Sequence, residues 1–280
     1  MCDACVIESV KDRMLNRRGL LRGAAATALA AGAASLLPSA FPLGAARAQE
    51  RGLGLGVVED LTHTLTEDFP TFFGQQQFFR EQKFAFAKDG FNLFELRVNE
   101  HTGTHLDAPL HFSADGQSVD AIPVANLVVP LCVVDIRARA EADADAELTS
   151  DDLKAWIAAH GEIPDRACVA LLSGWGAKVG TPGFRNADAE GKMHFPGFHV
   201  EAAQMLLETG AVGIASDTLS LDHGASPDFA THYAWLPANR WGLEAVANLD
   251  RLPAAGATLV VGAPKHQGGS GGPARVLALA

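Results

Sequence analysis

Ten histidines occur in the chain, and three of them fall within one run of eleven residues, His101-Thr102-Gly103-Thr104-His105-Leu106-Asp107-Ala108-Pro109-Leu110-His111. Their spacing decides what they could do together. Along an extended chain successive side chains alternate between faces, so the odd-numbered His101, His105, Asp107 and His111 all point the same way. A helix would bring His101 and His105 together but swing Asp107 aside, and Gly103 and Pro109 disfavour a helix in any case. An extended or gently turned segment is therefore expected. Imidazoles and a carboxylate converging on one face form a borderline nitrogen and oxygen ligand set, suited to zinc or manganese and too rich in nitrogen for calcium. A lone histidine is more often a solvated or packed residue. Four polar groups buried together without a cation would leave several donors and acceptors to satisfy, and that argues for a metal.

Such a segment needs a scaffold. Apolar or alternating runs bounded by Gly, Pro or Asp predict strands near 54–59, 92–98, 125–136, 167–172, 212–217, 257–262 and 274–279. Between them, Thr149 or Ser150 is placed to cap a helix with Asp151 and Asp152 in its first turn, running to His160 before Gly161. A second helix is expected from Val200 to Thr209, closed by Gly210. Strands alternating with helices indicate one α/β domain with a mixed sheet and flanking helices. The aromatic, Gln-rich stretch 69–79 and the polar stretch 184–197 read as loops, where sites are usually built.

The 280 residues carry 33 acidic and 22 basic side chains, a net charge of −11, with 48% hydrophobic and 20% charged residues. That is the composition of a soluble globular protein, and an acidic chain without a basic stripe is not built to bind nucleic acid. The charge is unevenly spread. Residues 1–48 hold six basic and three acidic side chains, leaving 30 acidic and 16 basic, a net charge of −14, in residues 49–280. Within 1–48, Asn16-Arg17-Arg18-Gly19-Leu20-Leu21-Arg22 precedes an Ala-rich run from Gly23 to Leu37 and the small residues of Ala46-Arg47-Ala48. This is the layout of a cleaved secretory signal, and its arginine pair is similar to a twin-arginine leader. The apolar run is shorter than the ~20 residues a membrane span needs. A periplasmic or secreted product is expected, with no stable membrane insertion after cleavage. Cys2 and Cys5 lie inside this leader and are read as incidental, while Cys132 and Cys168 sit in strand-like apolar runs and are read as buried thiols rather than a disulfide.

The segment His101 to His111 resembles the HxGTHxDxPxH signature of the metal-dependent cyclase family, which includes bacterial kynurenine formamidases and isatin hydrolases. The resemblance extends to Asp60-Leu61-Thr62-His63-Thr64-Leu65, to Asp217-Thr218-Leu219-Ser220-Leu221-Asp222, to Gly268 through Arg275, and to the pair His232 and Glu244. It implies a swivelling β/β/α fold and a dimer or larger homo-oligomer. It also implies that His101, His105 and Asp107 bind a metal and that His111 gives and takes protons. In two-metal members the positions matching His232 and Glu244 complete a second site with Asp107 as bridge; in the isatin hydrolase branch one ion, typically manganese, is held by the first three. Zinc and manganese, one ion and two, all remain open at this point. Where kynurenine formamidases carry a substrate-contacting Trp, this sequence has Phe72, which can still stack on an aryl substrate.

The chemistry implied is hydrolysis of a carbon–nitrogen bond in an aryl formamide or cyclic aryl amide, by water activated on a divalent cation. His111 would carry a proton to the leaving nitrogen, with Glu244 as the alternative base. Phe72, Phe73, Trp175 and Trp235 are candidates for an aryl pocket, although each could be core. His63 and Asp217 are weaker site candidates. Gly268-Gly269-Ser270-Gly271-Gly272 lacks the Lys-Ser/Thr ending of a phosphate loop, and Ser173-Gly174-Trp175-Gly176 lacks the GxSxG elbow. The alternatives are an exported metal- or ligand-binding protein without turnover, and a lyase or lactone hydrolase acting on a small cyclic acid.

Overall fold

The computed structural model describes residues 56–280; the leader and its Cys2 and Cys5 lie outside the described residues. The described residues fall into two compact units, 56–81 with 95–280 and the short segment 82–94. The strands, in chain order, are β1 (Val58–Asp60), β2 (Phe78–Phe84), β3 (Leu93–Val98), β4 (His105–Asp107), β5 (Val128–Asp135), β6 (Glu147–Leu148), β7 (Cys168–Leu172), β8 (Gly197–Phe198), β9 (Gly213–Ser216), β10 (Trp241–Glu244), β11 (Ala257–Gly262), β12 (Gly271–Pro273) and β13 (Arg275–Leu279). The helices are α1 (Phe86–Asp89), α2 (Arg137–Ala142), α3 (Ser150–His160), α4 (Val200–Leu207) and α5 (Ala230–Trp235). Among the described residues no helix is long and apolar enough to cross a membrane.

Nine strands of the larger unit form one mixed sheet in the order β1-β13-β11-β5-β7-β9-β10-β4-β12. Its centre, β5 to β10, is parallel, and its flanks are antiparallel. The centre reads as unbroken apolar sequence because both faces are covered: all five residues of β7 are buried. One face packs Leu131, Val133, Cys168 and Ala170 with Leu259 and Val276. The other packs Cys132, Val134, Val169 and Leu171 against Trp156 of α3 and Ala202 and Leu206 of α4. Cys132 and Cys168 thus lie on opposite faces of neighbouring strands, both as free thiols, where a disulfide has no geometry. Burial pushes Cys132 up to about 12 and Cys168 well above its ordinary value, so neither ionises.

Helix α3 begins as the sequence indicates. Thr149 is its cap, with Asp152 donating its amide to the Thr149 hydroxyl and accepting the Thr149 amide in return. The indole of Trp156 donates to the Val133 carbonyl (3.0 Å) and ties the helix to β5. Elsewhere the structure departs from expectation. Helix α4 stops at Leu207, two residues early, and Phe78 and Phe79, expected in a loop, open β2. The strand expected near 92–98 pairs with β2 in a separate two-stranded sheet and does not join the large one. The short strands β4, β10 and β12 have no long apolar run to announce them.

In the small unit, α1 is fixed by local bonds: the Phe86 amide donates to Asn92 Oδ1 (2.9 Å) and the Ala85 amide to Asp89 Oδ2 (3.0 Å). Gly90, at φ 80°, ends it, and the rings of Phe84 and Phe91 pack 4.9 Å apart.

Candidate active site

Strand β4 delivers two of the predicted residues. It pairs antiparallel on both edges, and its alternation sends Leu106 into the core while His105 and Asp107 share the opposite face. On β10, Glu244 stands directly across from His105, so register alone brings Glu244 to the same face. Both residues facing Asp107 are glycines, Gly242 and Gly271. A Cβ on Gly271 would strike the Leu106 carbonyl and come within 2.8 Å of His101 Cε1, so a bare backbone here is what admits the His101 ring.

His101 and His111 reach the site by turns, the second of the two forms expected for the segment, rather than by strand alternation. The chain bends at Gly103 (φ 73°) before β4, and after it Pro109–Phe112 coil into a 3₁₀ turn. The His111 ring stacks on His101 with centroids 3.7 Å apart. His232 arrives from α5, with Nε2 3.1 Å from Glu244 Oε1 and 3.8 Å from Asp107 Oδ2. All six predicted polar residues therefore meet, and five of them form two overlapping triads, His101/Asp107/His111 and His105/Asp107/Glu244, which share Asp107, with His232 beside the second.

The hydrogen bonds fix which lone pairs face inward. His105 Nδ1 lies 2.8 Å from the Gly103 carbonyl, and because a carbonyl only accepts, Nδ1 bears a proton. Likewise His232 Nδ1 lies 2.5 Å from Asp222 Oδ2, a carboxylate that also accepts the Thr231 and His232 amides (2.7 and 3.2 Å). Both Nε2 atoms then point at carboxylates: that of His105 is 3.3 Å from Asp107 Oδ1 and 3.3 Å from Glu244 Oε2. His105 Nε2 and Asp107 Oδ2 are buried with no hydrogen-bond partner. Acceptors crowded against acceptors in a buried cluster call for a cation.

The electrostatics agree. Burial works against charge at His105, yet Asp107 and Glu244 raise it to about 10, and His232 is raised well above its ordinary value by Asp107, Asp222 and Glu244 despite equal burial. Asp107, also buried, is held well below the carboxylate range by His105, His101 and His232. His111 is the exception. Burial drives it down to about 4, and the neighbouring imidazoles of His101 and His232 push the same way.

The cluster floors a cavity of about 380 Å³ whose other walls include Phe72, Phe73, Phe112, Leu219 and Phe229. Phe72 and Phe73, expected from the sequence, lie there. Trp175 does not: it is 2% exposed, packs with Phe184 and Phe195, and spends its indole N–H on the Phe184 carbonyl. Its aromatic bulk belongs to the core, as does that of Trp235. His63 and Asp217 line a different cavity. Phe112, Asp222 and Phe229 escaped sequence reasoning. Asp222 closes a run already singled out, but only the fold reveals that it faces His232.

The fold and this acceptor-rich floor define a class, and the chain belongs to the Cyclase family, whose pattern matches residues 59–223. Within that class it is 38% identical over 192 residues to the isatin hydrolase of Roseibium aggregatum, spanning 65% of this chain and 72% of that one. It is 29% identical over 186 residues to the kynurenine formamidase of Salinibacter ruber, spanning 66% and 79% respectively. Among solved structures, an isatin hydrolase bound to the product analogue thioisatinate matches with a TM-score of 0.76 at 34% identity, over 81% of this chain and 93% of that one. Isatin hydrolase A from Ralstonia solanacearum matches with a TM-score of 0.76 at 37% identity, over 88% and 99%.

Proposed function

We propose that the protein is a metal-dependent hydrolase that cleaves the carbon–nitrogen bond of an aryl formamide or a cyclic aryl amide, like N-formylkynurenine or isatin. The observation that carries this reading is the buried pair of unpartnered atoms at the centre of the cluster, Asp107 Oδ2 and His105 Nε2, the latter lying 3.3 Å from both Asp107 Oδ1 and Glu244 Oε2. By the family resemblance His101, His105 and Asp107 would hold one zinc or manganese ion, and His232 and Glu244, sharing Asp107, would hold a second, with His232 Nε2 3.1 Å from Glu244 Oε1 and 3.8 Å from Asp107 Oδ2. Such a cation supplies Lewis acidity, lowering the pKa of water and polarising an amide carbonyl.

The chain's own residues do the rest. His111, driven to about 4, is neutral at pH 7, so a ring nitrogen is free to accept the proton of an attacking water. The same proton then passes to the leaving nitrogen, which would otherwise depart as a poor anilide anion. His101, stacked on His111, holds that ring in place, and the phenyl groups opposite exclude bulk water from the reacting amide. Export through the twin-arginine-like leader at 1–48, maturation to 49–280 in the periplasm or medium, and assembly as a homodimer or larger complete the reading.

Purified protein loaded with zinc or manganese, mixed with N-formylkynurenine or isatin, should yield products heavier by one water when a ring opens, or formate when a formamide is cut. The reading fails if neither substrate reacts and His111→Ala behaves identically to the parent.

A further inference from the structure

The run Gly268-Gly269-Ser270-Gly271-Gly272 takes no part in the chemistry above, yet its single side chain reaches the polar floor. Ser270 Oγ lies 3.0 Å from His101 Nε2 and 2.5 Å from Glu100 Oε2. Glycine on either side is what lets these groups meet. A Cβ on Gly271 would press on the His101 ring, and one on Gly269 would strike His266 Nε2 and Glu100 Oε1. The backbone of the run is itself fastened beside the histidine segment. The Ala108 amide donates to the Ser270 carbonyl (2.8 Å), the Val119 amide to the Gly269 carbonyl (2.9 Å), and the Gly268 amide to Asp120 Oδ1 (2.9 Å).

The direction of these bonds follows from the donors alone. The Ser270 amide donates to Glu100 Oε2 (3.2 Å), so that oxygen is an acceptor. The Ser270 hydroxyl has one proton and gives it to the same oxygen. Toward His101 the hydroxyl can then only accept, so the proton between them sits on His101 Nε2. Nδ1 is left as the one nitrogen of that ring able to coordinate, and it lies 2.6 Å from Asp107 Oδ1. His105 and His232 are arranged the other way round, with Nδ1 protonated and Nε2 turned inward. We propose that Ser270 and Glu100 are positioning residues of the cation site, which fix His101 as its Nδ1 ligand while His105 and His232 present Nε2. This rests on the proposed hydrolase reading only in taking the floor to hold a cation. His266, with Nε2 2.5 Å from Glu100 Oε1, holds the carboxylate from its exposed side. Because His111 stacks on the His101 ring, the same pair also sets the plane against which the proton carrier rests.

The test reads the metal site without a substrate. In the zinc-loaded, full-length protein carrying isotope-labelled histidine, ring-nitrogen NMR should place the proton of His101 on Nε2 and those of His105 and His232 on Nδ1. Ser270→Ala and Glu100→Ala should each weaken zinc about 10- to 100-fold in a chelator competition, whereas Ser270→Thr, which keeps the hydroxyl, should stay within about threefold of the parent. A His101 proton found on Nδ1, or parent-like zinc affinity in Ser270→Ala, overturns the assignment. So does a Ser270→Thr variant as weak as Ser270→Ala, because the hydroxyl would then carry none of the effect. If the parent binds zinc with the expected tautomers and cleaves neither N-formylkynurenine nor isatin, the positioning role stands and the hydrolase reading falls.

Discussion

Two cavities of the larger unit each have a buried aspartate at or behind their lining, Asp107 behind His105 in one and Asp217 with His63 in the other, and they treat the carboxylate in opposite ways. Asp217 is fully supplied by the fold: it accepts the amides of Ser173, Gly174 and Trp175 and the Ser173 hydroxyl. Burial dominates there and raises it to about 6, while burial alone lowers the neighbouring His63, which stays neutral. Asp107 receives no backbone donor, one of its oxygens has no partner, and only imidazoles surround it. Burial of a carboxylate therefore does not by itself mark a metal site. A missing set of donors does.

The comparison breaks most visibly at Asp107. Asp107→Asn should lose nearly all bound metal by elemental analysis, and kcat/KM should drop by at least ~10³-fold; a variant that keeps both would erase the distinction between the cavities. His111→Ala should retain its metal but lose about 10²- to 10⁴-fold in kcat. His111 must be neutral to accept a proton, so the parent's kcat/KM should hold steady above pH 5 and fall as pH drops through about 4, an acid limb absent from the variant. Asp222→Asn, which leaves His232 Nδ1 without its carboxylate, should weaken metal binding about 10- to 100-fold in a chelator competition while the fold survives. The smallest effect on catalysis belongs to Asp217→Asn, whose activity per bound metal should match the parent. Its signature is in stability. The Asp217 pKa is raised in the folded state, so its contribution is fully present below the unfolded value of 3.8 and is lost as pH rises through about 6. Urea midpoints of the parent should therefore decline across that window more than those of the variant.

Much of this was legible in local sequence because local physics governs it. The apolar runs of β5 and β7 and the Thr149 cap of α3 depend on neighbours a few residues away, and the run His101 to His111 declares its chemistry through residue type. What stayed hidden depends on distant pairing. Glu244 meets His105, 139 positions before it, only because β10 and β4 align in one register, and the four residues of β10 carry no pattern longer than themselves. The six-residue helix α5 starts from the left-handed Phe229, which no propensity anticipates. Trp175 shows the reverse error, an aromatic near a suggestive glycine pair that the core claims through its indole hydrogen bond. Family resemblance supplied His232 and Glu244 where spacing had nothing to say.

Strand β4 is hydrogen-bonded between β10 and β12, whose residues follow it by more than 130 positions in the sequence. The ligand-bearing run is made early by the ribosome, yet Glu244 and the glycine that admits His101 come late. A nascent chain that has exposed His101 to His111 has the chemistry of a metal site without its geometry. Tight binding must wait for the long-range pairing to close, so cation capture reports completed folding of the sheet rather than nucleating it.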